Sequence, residues 1–264
     1  MKLGIFQFNP MWGNKNKNLD RIKRSLLSND KVDLWVLPEL CTTGYQFKTN
    51  QEVANLAERF PGGSTSGYLK ELSRDIDAGI IIGIAERSGK QIYNSAAIFE
   101  SGKFIGIYRK VHLFYEEKNY FSPGQELPEV FEIKGVKVGV MVCFDWIFPE
   151  TARTLALKGA QLIAHPANLV LPFCQDAMVT RSIENKVITA TANRIGEEAR
   201  TGESLTFTGC SQVTDVDGAR LGQLGQDEEN VLVVDIDPPK AEDKSINQYN
   251  DLFGDRRDEL YFLE

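Results

Sequence analysis

The chain has 264 residues, 42% of them apolar and 25% charged, a balance that marks a globular, soluble protein long enough to bury a full core. Its net charge of −7 comes from 37 acidic and 30 scattered basic residues, which excludes an electrostatic footprint for nucleic acid. No window approaches the roughly 20 apolar residues that span a bilayer, and the opening MKLGIFQFNP is too short in apolar length for a signal peptide, so we expect a cytoplasmic protein with a small-molecule partner.

Short β-branched runs recur along the chain and read as strands: 3–8, 32–39, 78–86, 91–100, 104–110, 136–143, 161–167, 187–194, 211–218 and 231–237. Helices are expected at 14–28, 64–76, 149–158 and 175–185. In the first of these, Leu19, Ile22, Leu26 and Leu27 recur at helical spacing; in the third, Pro149 and Glu150 open the helix and Gly159 stops it. Ser101-Gly102 between two apolar runs is the signature of an antiparallel hairpin, which makes the sheet mixed. No Pro/Gly/Ser linker, charge block or fixed-period repeat divides the chain, so residues 1–264 are expected to form one domain. The tail at 251–264 ends in Leu260, Tyr261, Phe262 and Leu263, odd for a solvated terminus, and is expected to dock on its own or a neighbouring subunit.

Four cysteines lie far apart with no CxxC pair, which argues against a zinc knuckle, a redox dithiol and a disulfide framework. Cys143 ends an apolar run just ahead of the helix opened by Pro149. There the positive end of the helix dipole would favour thiolate, although free cysteines are more often inert core residues. The usual base for a thiol is histidine, and only His112 and His165 exist; each fits a structural role as well as a catalytic one. Glu39 is a better candidate. It follows a very apolar strand, where an acid has no packing reason to be, and it suits a general base. Lys110 ends FIGIYRK in the same manner, either as a solvated charge or as a cation aimed at developing negative charge. All three sit at C-terminal strand ends, where α/β sheets assemble sites. Two distant histidines give no metal-ligand spacing, and no Gly-rich phosphate loop follows a strand, so neither a metal nor a cofactor is expected.

LPEL around Glu39, YRKVHLF around Lys110 and CFDWIFPE around Cys143, in this order and spacing, resemble the nitrilase superfamily of carbon–nitrogen hydrolases. FQFNP, TTGY, GIAER, YNSAAIF, FSPG, ARTLALKGAQLIAHPAN, RSIENK and TANRIGEE extend the match almost end to end, and DRRDELYF resembles the family's dimer-forming tail. The resemblance implies a four-layer αββα sandwich of mixed α/β sheets and at least a homodimer. It also implies a Glu39, Lys110 and Cys143 triad. Cys143 would attack an amide or nitrile carbon while Glu39 takes its proton, and Lys110 with the backbone N–H of Phe144 would hold the oxyanion. Loss of ammonia would leave a thioester for water to hydrolyse. The family's second glutamate maps to Glu117, with Glu116 as its neighbour, and the family pocket maps to Tyr45, Phe114, Trp146 and Asn168. His112 and His165 then become structural, and Arg181 and Glu184 tie a helix end to the site wall. The expected substrate is a small, aliphatic, uncharged amide. Nitrilase, ω-amidase and N-carbamoyl amine amidohydrolase activities stand beside it, as do a binding module that has lost its chemistry and a redox-sensing thiol with Cys41 or Cys174 as partner.

Overall fold

Apolar alternation along the chain folds into two six-stranded sheets packed face to face, in a computed structural model that describes residues 1–29 and 31–261. In chain order the strands are β1 (Lys2–Gln7), β2 (Leu34–Val36), β3 (Gly79–Ser88), β4 (Gln91–Glu100), β5 (Lys103–Arg109), β6 (Val130–Ile133), β7 (Val136–Val140), β8 (Leu162–Ala167), β9 (Ile188–Asn193), β10 (Glu197–Glu198), β11 (Leu205–Thr206), β12 (Gln212–Thr214), β13 (Arg220–Gln223) and β14 (Asn230–Asp235). The helices are α1 (Lys15–Leu27), α2 (Asn50–Leu56), α3 (Ser64–Asp75), α4 (Pro149–Leu157) and α5 (Cys174–Asn185).

One sheet runs β14-β1-β2-β3-β4-β5 and the other β6-β7-β8-β9-β12-β13. Read in those directions, both pair antiparallel, parallel, parallel, antiparallel, antiparallel, a repeat of pairing that leaves no repeat in the sequence. The period of two explains the layers. On β1 and β2, Leu3, Ile5, Leu34 and Val36 face the second sheet and join Val138, Val140 and Ile163 in one core cluster. Phe6, Trp35 and Leu37 point the other way, onto Leu19, Ile22 and Leu26 of α1 and Leu69 and Leu72 of α3. Beyond the second sheet, Ala152 and Leu155 of α4 and Cys174 and Met178 of α5 close the fourth layer. The αββα sandwich is as expected.

Local signals place most boundaries. Asn14 caps α1, its side chain accepting from Lys17 N at 3.2 Å. Ser101 and Gly102 both have positive φ, 43° and 87°, the type I′ turn that a two-residue hairpin between β4 and β5 requires. Five elements went unread in the sequence: the two-residue strands β10 and β11, and α2, β6 and β13. α2 buries only Val53, β13 is largely exposed, and β6 is a four-residue edge strand, so none carries a long apolar pattern. Several strands end earlier than the apolar runs suggest, two of them at the site. The run at 32–39 is regular only over β2, and the run at 136–143 only over β7, so Glu39 and Cys143 lie in the turns beyond them. Phe262 and Leu263 of the tail lie outside the described residues.

Candidate functional site

Beyond β2 the chain continues alongside β3 without regular pairing: Leu37 N donates to Ile81 O at 2.8 Å, and Gly83 N donates to Pro38 O at 3.1 Å. This brings Glu39 against Gly83 so closely that a Cβ at Gly83 would stand 2.3 Å from Glu39 Cα. A glycine is thus required on β3 for the carboxylate to sit where it does. Glu39 is buried, and its two oxygens differ. Oε1 accepts from Lys110 Nζ at 2.7 Å and from Asn94 Nδ2 at 2.7 Å, while Oε2 has no partner among the described residues.

Lys110, one residue past the end of β5, is fully buried and also donates to Glu117 Oε1 at 2.8 Å. Burial works against its charge, but Glu117 and Glu39 outweigh that cost and raise its pKa. Glu117 lies in a 3₁₀ turn at Tyr115–Asn119 and accepts from Tyr45 Oη at 2.7 Å. The geometry picks Glu117 over Glu116, which is only half-buried. Burial pushes Glu117 up to about 7, helped by the charge of Glu39 and opposed by Lys110 and Tyr45. Tyr45, expected in the substrate pocket, instead has its hydroxyl on Glu117; burial raises its pKa and keeps it a donor.

Cys143 has φ 42°, a strained value for a residue with a side chain, and opens a 3₁₀ turn at Cys143–Ile147. The helix-dipole expectation fails here, because α4 begins six residues later and the short turn lies between them. Burial raises the Cys143 pKa well above its ordinary value, with Glu39 and Glu117 adding to the effect; Lys110 and the backbone N–H of Asn168 lower it. The thiol therefore rests protonated and needs a base. Glu39, Lys110 and Glu117 thus stand near enough to the thiol to shift its pKa.

Two residues hold the nucleophile's turn. Asp145 Oδ2 accepts from Val142 N at 2.9 Å and from Tyr108 Oη at 2.8 Å, and its Oδ1 accepts from His112 N at 3.0 Å. It thereby joins the Cys143 turn to the strand end that carries Lys110. His165 Nε2 lies 2.9 Å from the Cys143 carbonyl oxygen and donates to it, and Thr191 Oγ1 lies 3.1 Å from Nδ1. Burial pushes His165 down to about 4, so it is neutral and structural. His112 stacks on Phe148 at 3.8 Å between ring centroids and bonds Asp145, also a structural role.

Phe114, Phe144, Trp146 and Asn168 do gather beside Cys143, with Leu169, Val170 and Leu171, around a cavity of about 10 Å³. That is room for about one water-sized centre. Clefts of about 330, 380, 410 and 530 Å³ also open, the 410 Å³ one sharing Phe144 with the small cavity, and none is lined by Glu39, Lys110 or Cys143, so chemistry and not volume locates the site. Arg181 Nε donates to Trp146 O at 3.3 Å and pairs with Glu184 at 2.9 Å, tying α5 to the site wall. Cys41 packs in a different core cluster from Cys143.

Sequence reasoning missed Asn94, Asp145 and a buried pair, Arg194 with Glu198. Arg194 lies 4.0 Å over the Phe207 ring and donates to Asn9 Oδ1 at 2.7 Å as well as to Glu198. Glu198 accepts the backbone N–H groups of Tyr45, at 3.1 Å, and Gln46, at 2.7 Å, and so fixes the loop that follows Glu39. The available signal was a polar residue inside an apolar run: Asn94 in YNSAAIF, Asp145 in CFDW and Arg194 in TANR. Among the described residues no cluster of three or more His, Cys, Asp or Glu is arranged to hold a metal, and no helix is long and apolar enough to cross a membrane.

Comparison with known proteins gives the family and the fold. The carbon–nitrogen hydrolase family matches residues 2–244. A nitrilase of Pyrococcus abyssi is 46% identical over 264 residues, covering 99% of each chain, and a 2-oxoglutaramate amidase of Bacillus subtilis is 31% identical, covering 98% of each. Among solved structures, a carbon–nitrogen hydrolase from Helicobacter pylori superposes with a TM-score of 0.87 at 25% identity, covering 99% of this chain and 96% of the other. An amidase from Nesterenkonia sp. AN1, in a form with acrylamide added at its active-site cysteine, superposes with a TM-score of 0.81 at 27% identity, covering 98% of each chain. The match over nearly the whole chain shows that it belongs to the carbon–nitrogen hydrolase family.

Proposed function

We propose that this enzyme hydrolyses a small, uncharged, aliphatic amide to a carboxylic acid and ammonia through a thioester on Cys143. The observation that carries the reading is the bridge made by Lys110 Nζ, 2.7 Å from Glu39 and 2.8 Å from Glu117, beside a buried thiol that needs a base. Glu39 Oε2, without a partner among the described residues, takes the thiol proton as Cys143 attacks the carbonyl carbon. Lys110 and the Phe144 N–H, a first-turn amide with no acceptor inside its own turn, hold the oxyanion. Glu39 returns the proton to the departing nitrogen, then activates the water that hydrolyses the thioester. Glu117 orients Lys110 and the substrate. The small cavity and its apolar walls of Phe114, Phe144 and Trp146 favour a short, neutral acyl group.

Ammonia release from a panel of amides, nitriles and carbamoyl compounds tests the reading. Release is expected from short amides and is expected to vanish in Cys143→Ala; release that survives this substitution refutes it. Nitrile hydrolysis is the second reading, favoured by the 46% identity to a protein named nitrilase. The whole chain acts as one domain in this proposal, in the cytoplasm and as at least a homodimer. The exposure of Leu260 and Tyr261, each more than half exposed, supports docking of the tail on a neighbouring subunit. Light scattering on a chain lacking residues 255–264 is expected to show a smaller assembly, and an unchanged one counts against tail docking.

A further inference from the structure

Asn94 lies fully buried in β4, between β3, whose Gly83 backs Glu39, and β5, which leads into Lys110. Its Nδ2 donates to Glu39 Oε1 at 2.7 Å and stands 3.4 Å from Glu117 Oε2, and its main-chain oxygen accepts the Lys110 N–H at 2.8 Å. One residue thus contacts both carboxylates and the lysine. Its other end is bare: Oδ1 is buried with no partner among the described residues. An amide oxygen buried in this way costs on the order of 1–3 kcal/mol. The reverse orientation is worse, because it would set Oδ1 against two carboxylates. Glu39 and Glu117 therefore fix the direction of the amide, which forgoes one hydrogen bond to face them.

We propose that Asn94 is a positioning residue for the general base: its Nδ2 joins Lys110 on Glu39 Oε1 and fixes the carboxylate so that Oε2 is the oxygen left to take the Cys143 proton. The proposal rests on the amidase reading of the Cys143 site and goes past it, since that reading needs a base but not a device that chooses between its oxygens. The terminal torsion of a glutamate is broad, so one donor leaves the plane of its carboxylate loosely set. Here two donors reach the same oxygen from different elements, Asn94 from β4 and Lys110 from beyond β5, each at 2.7 Å. Lys110 also serves Glu117, so it does not belong to Glu39 alone. Removing the Asn94 donor, or putting a like charge in its place, favours the protonated carboxyl, and in that form Glu39 cannot accept the thiol proton.

The test measures kcat, KM and the pH profile of kcat/KM on a short amide for wild type, Asn94→Leu and Asn94→Asp, with circular dichroism on each. Asn94→Leu donates nothing; its kcat is expected to fall by ~10–100-fold, the worth of a hydrogen bond to a charged group, with KM little changed. The acid limb of its profile is expected at higher pH than in wild type, and at higher pH again in Asn94→Asp, which keeps the shape, loses the donor and adds a charge. A purely structural role would lower activity without moving that limb. An acid limb at the wild-type position in either folded variant overturns the proposal, as does a loss confined to KM. Asn94→Asp is nearly the same shape as wild type, so it decides the question even where Asn94→Leu does not fold. Absence of ammonia release from any amide by wild type overturns instead the amidase reading beneath the proposal. The rate of Cys143 alkylation by iodoacetamide against pH then reads the base without turnover: the same order of the three chains is expected, and one common curve overturns the proposal.

Discussion

Glu39 and Lys110 meet at one carboxylate oxygen: Nζ stands 2.7 Å from Oε1, and Oε2 is buried without a partner among the described residues. This division lets a single carboxylate be held by the lysine and still accept a proton. Glu39→Gln keeps a hydrogen-bonding side chain of the same shape but cannot take the thiol proton. We expect kcat/KM for a short amide to fall by ~10³-fold or more with the fold intact. Steady-state kinetics beside a melting curve checks this, and a loss under tenfold would remove Glu39 from the role of base.

Gly83 tests the same position from behind. A methyl group there would meet the Glu39 main chain at 2.3 Å and the Leu40 nitrogen at 2.6 Å, both backbone atoms that cannot rotate away. Gly83→Ala must therefore shift the Glu39 segment, and a displacement of about 1 Å at a reacting group costs on the order of 10²-fold. Activity is expected to fall by that factor, with kcat affected more than KM. A variant with wild-type kcat would show that the close approach is not needed.

His165 makes stability depend on pH. Its folded pKa is pushed down to about 4 from an ordinary 6.5, so below pH 6.5 the unfolded chain takes up a proton that the folded chain refuses until about pH 4. Stability is thus lost as pH falls through this window, by ~3 kcal/mol in total, and the loss is complete below it. His165→Gln keeps a donor for the Cys143 carbonyl and removes the titration. Denaturant titrations between pH 4 and 7 should show a shallower slope for the variant than for wild type; identical slopes would contradict the assignment.

Arg194 and Glu198 are both buried, so removing one strands the other. Glu198→Ala is expected to destabilise by about 3–5 kcal/mol, since an unpaired guanidinium stays in the core and the Tyr45 and Gln46 amides lose their acceptor. The double variant Arg194→Met with Glu198→Leu removes both charges and should recover part of that loss. A double-mutant cycle measured by urea unfolding decides it, and simple additivity would mean the pair is not coupled.

The sequence by itself determined the strand ends that matter and the groups found there. Glu39, Lys110 and Cys143 stand out because an acid, a base and a thiol each follow an apolar run, and local burial makes such residues anomalous. The hairpin at Ser101-Gly102 and the cap at Asn14 were legible for a similar reason, as both are local. Edge elements such as β6 and β13 were not, because a half-exposed strand carries little apolar periodicity. What only the tertiary structure decided is who touches whom. Lys110 reaches Glu39 across 71 residues and Asn94 reaches it across 55, and Arg194 acts on the site through Glu198 and a loop of main chain. It also decided that the Cys143 thiol is protonated at rest, since burial and two nearby carboxylates outweigh Lys110 and the Asn168 N–H, and the helix end lies too far along the chain. Hydrophobic pattern is written residue by residue, but hydrogen bonds and desolvation depend on distances that exist only once two sheets have packed and brought their strand ends together.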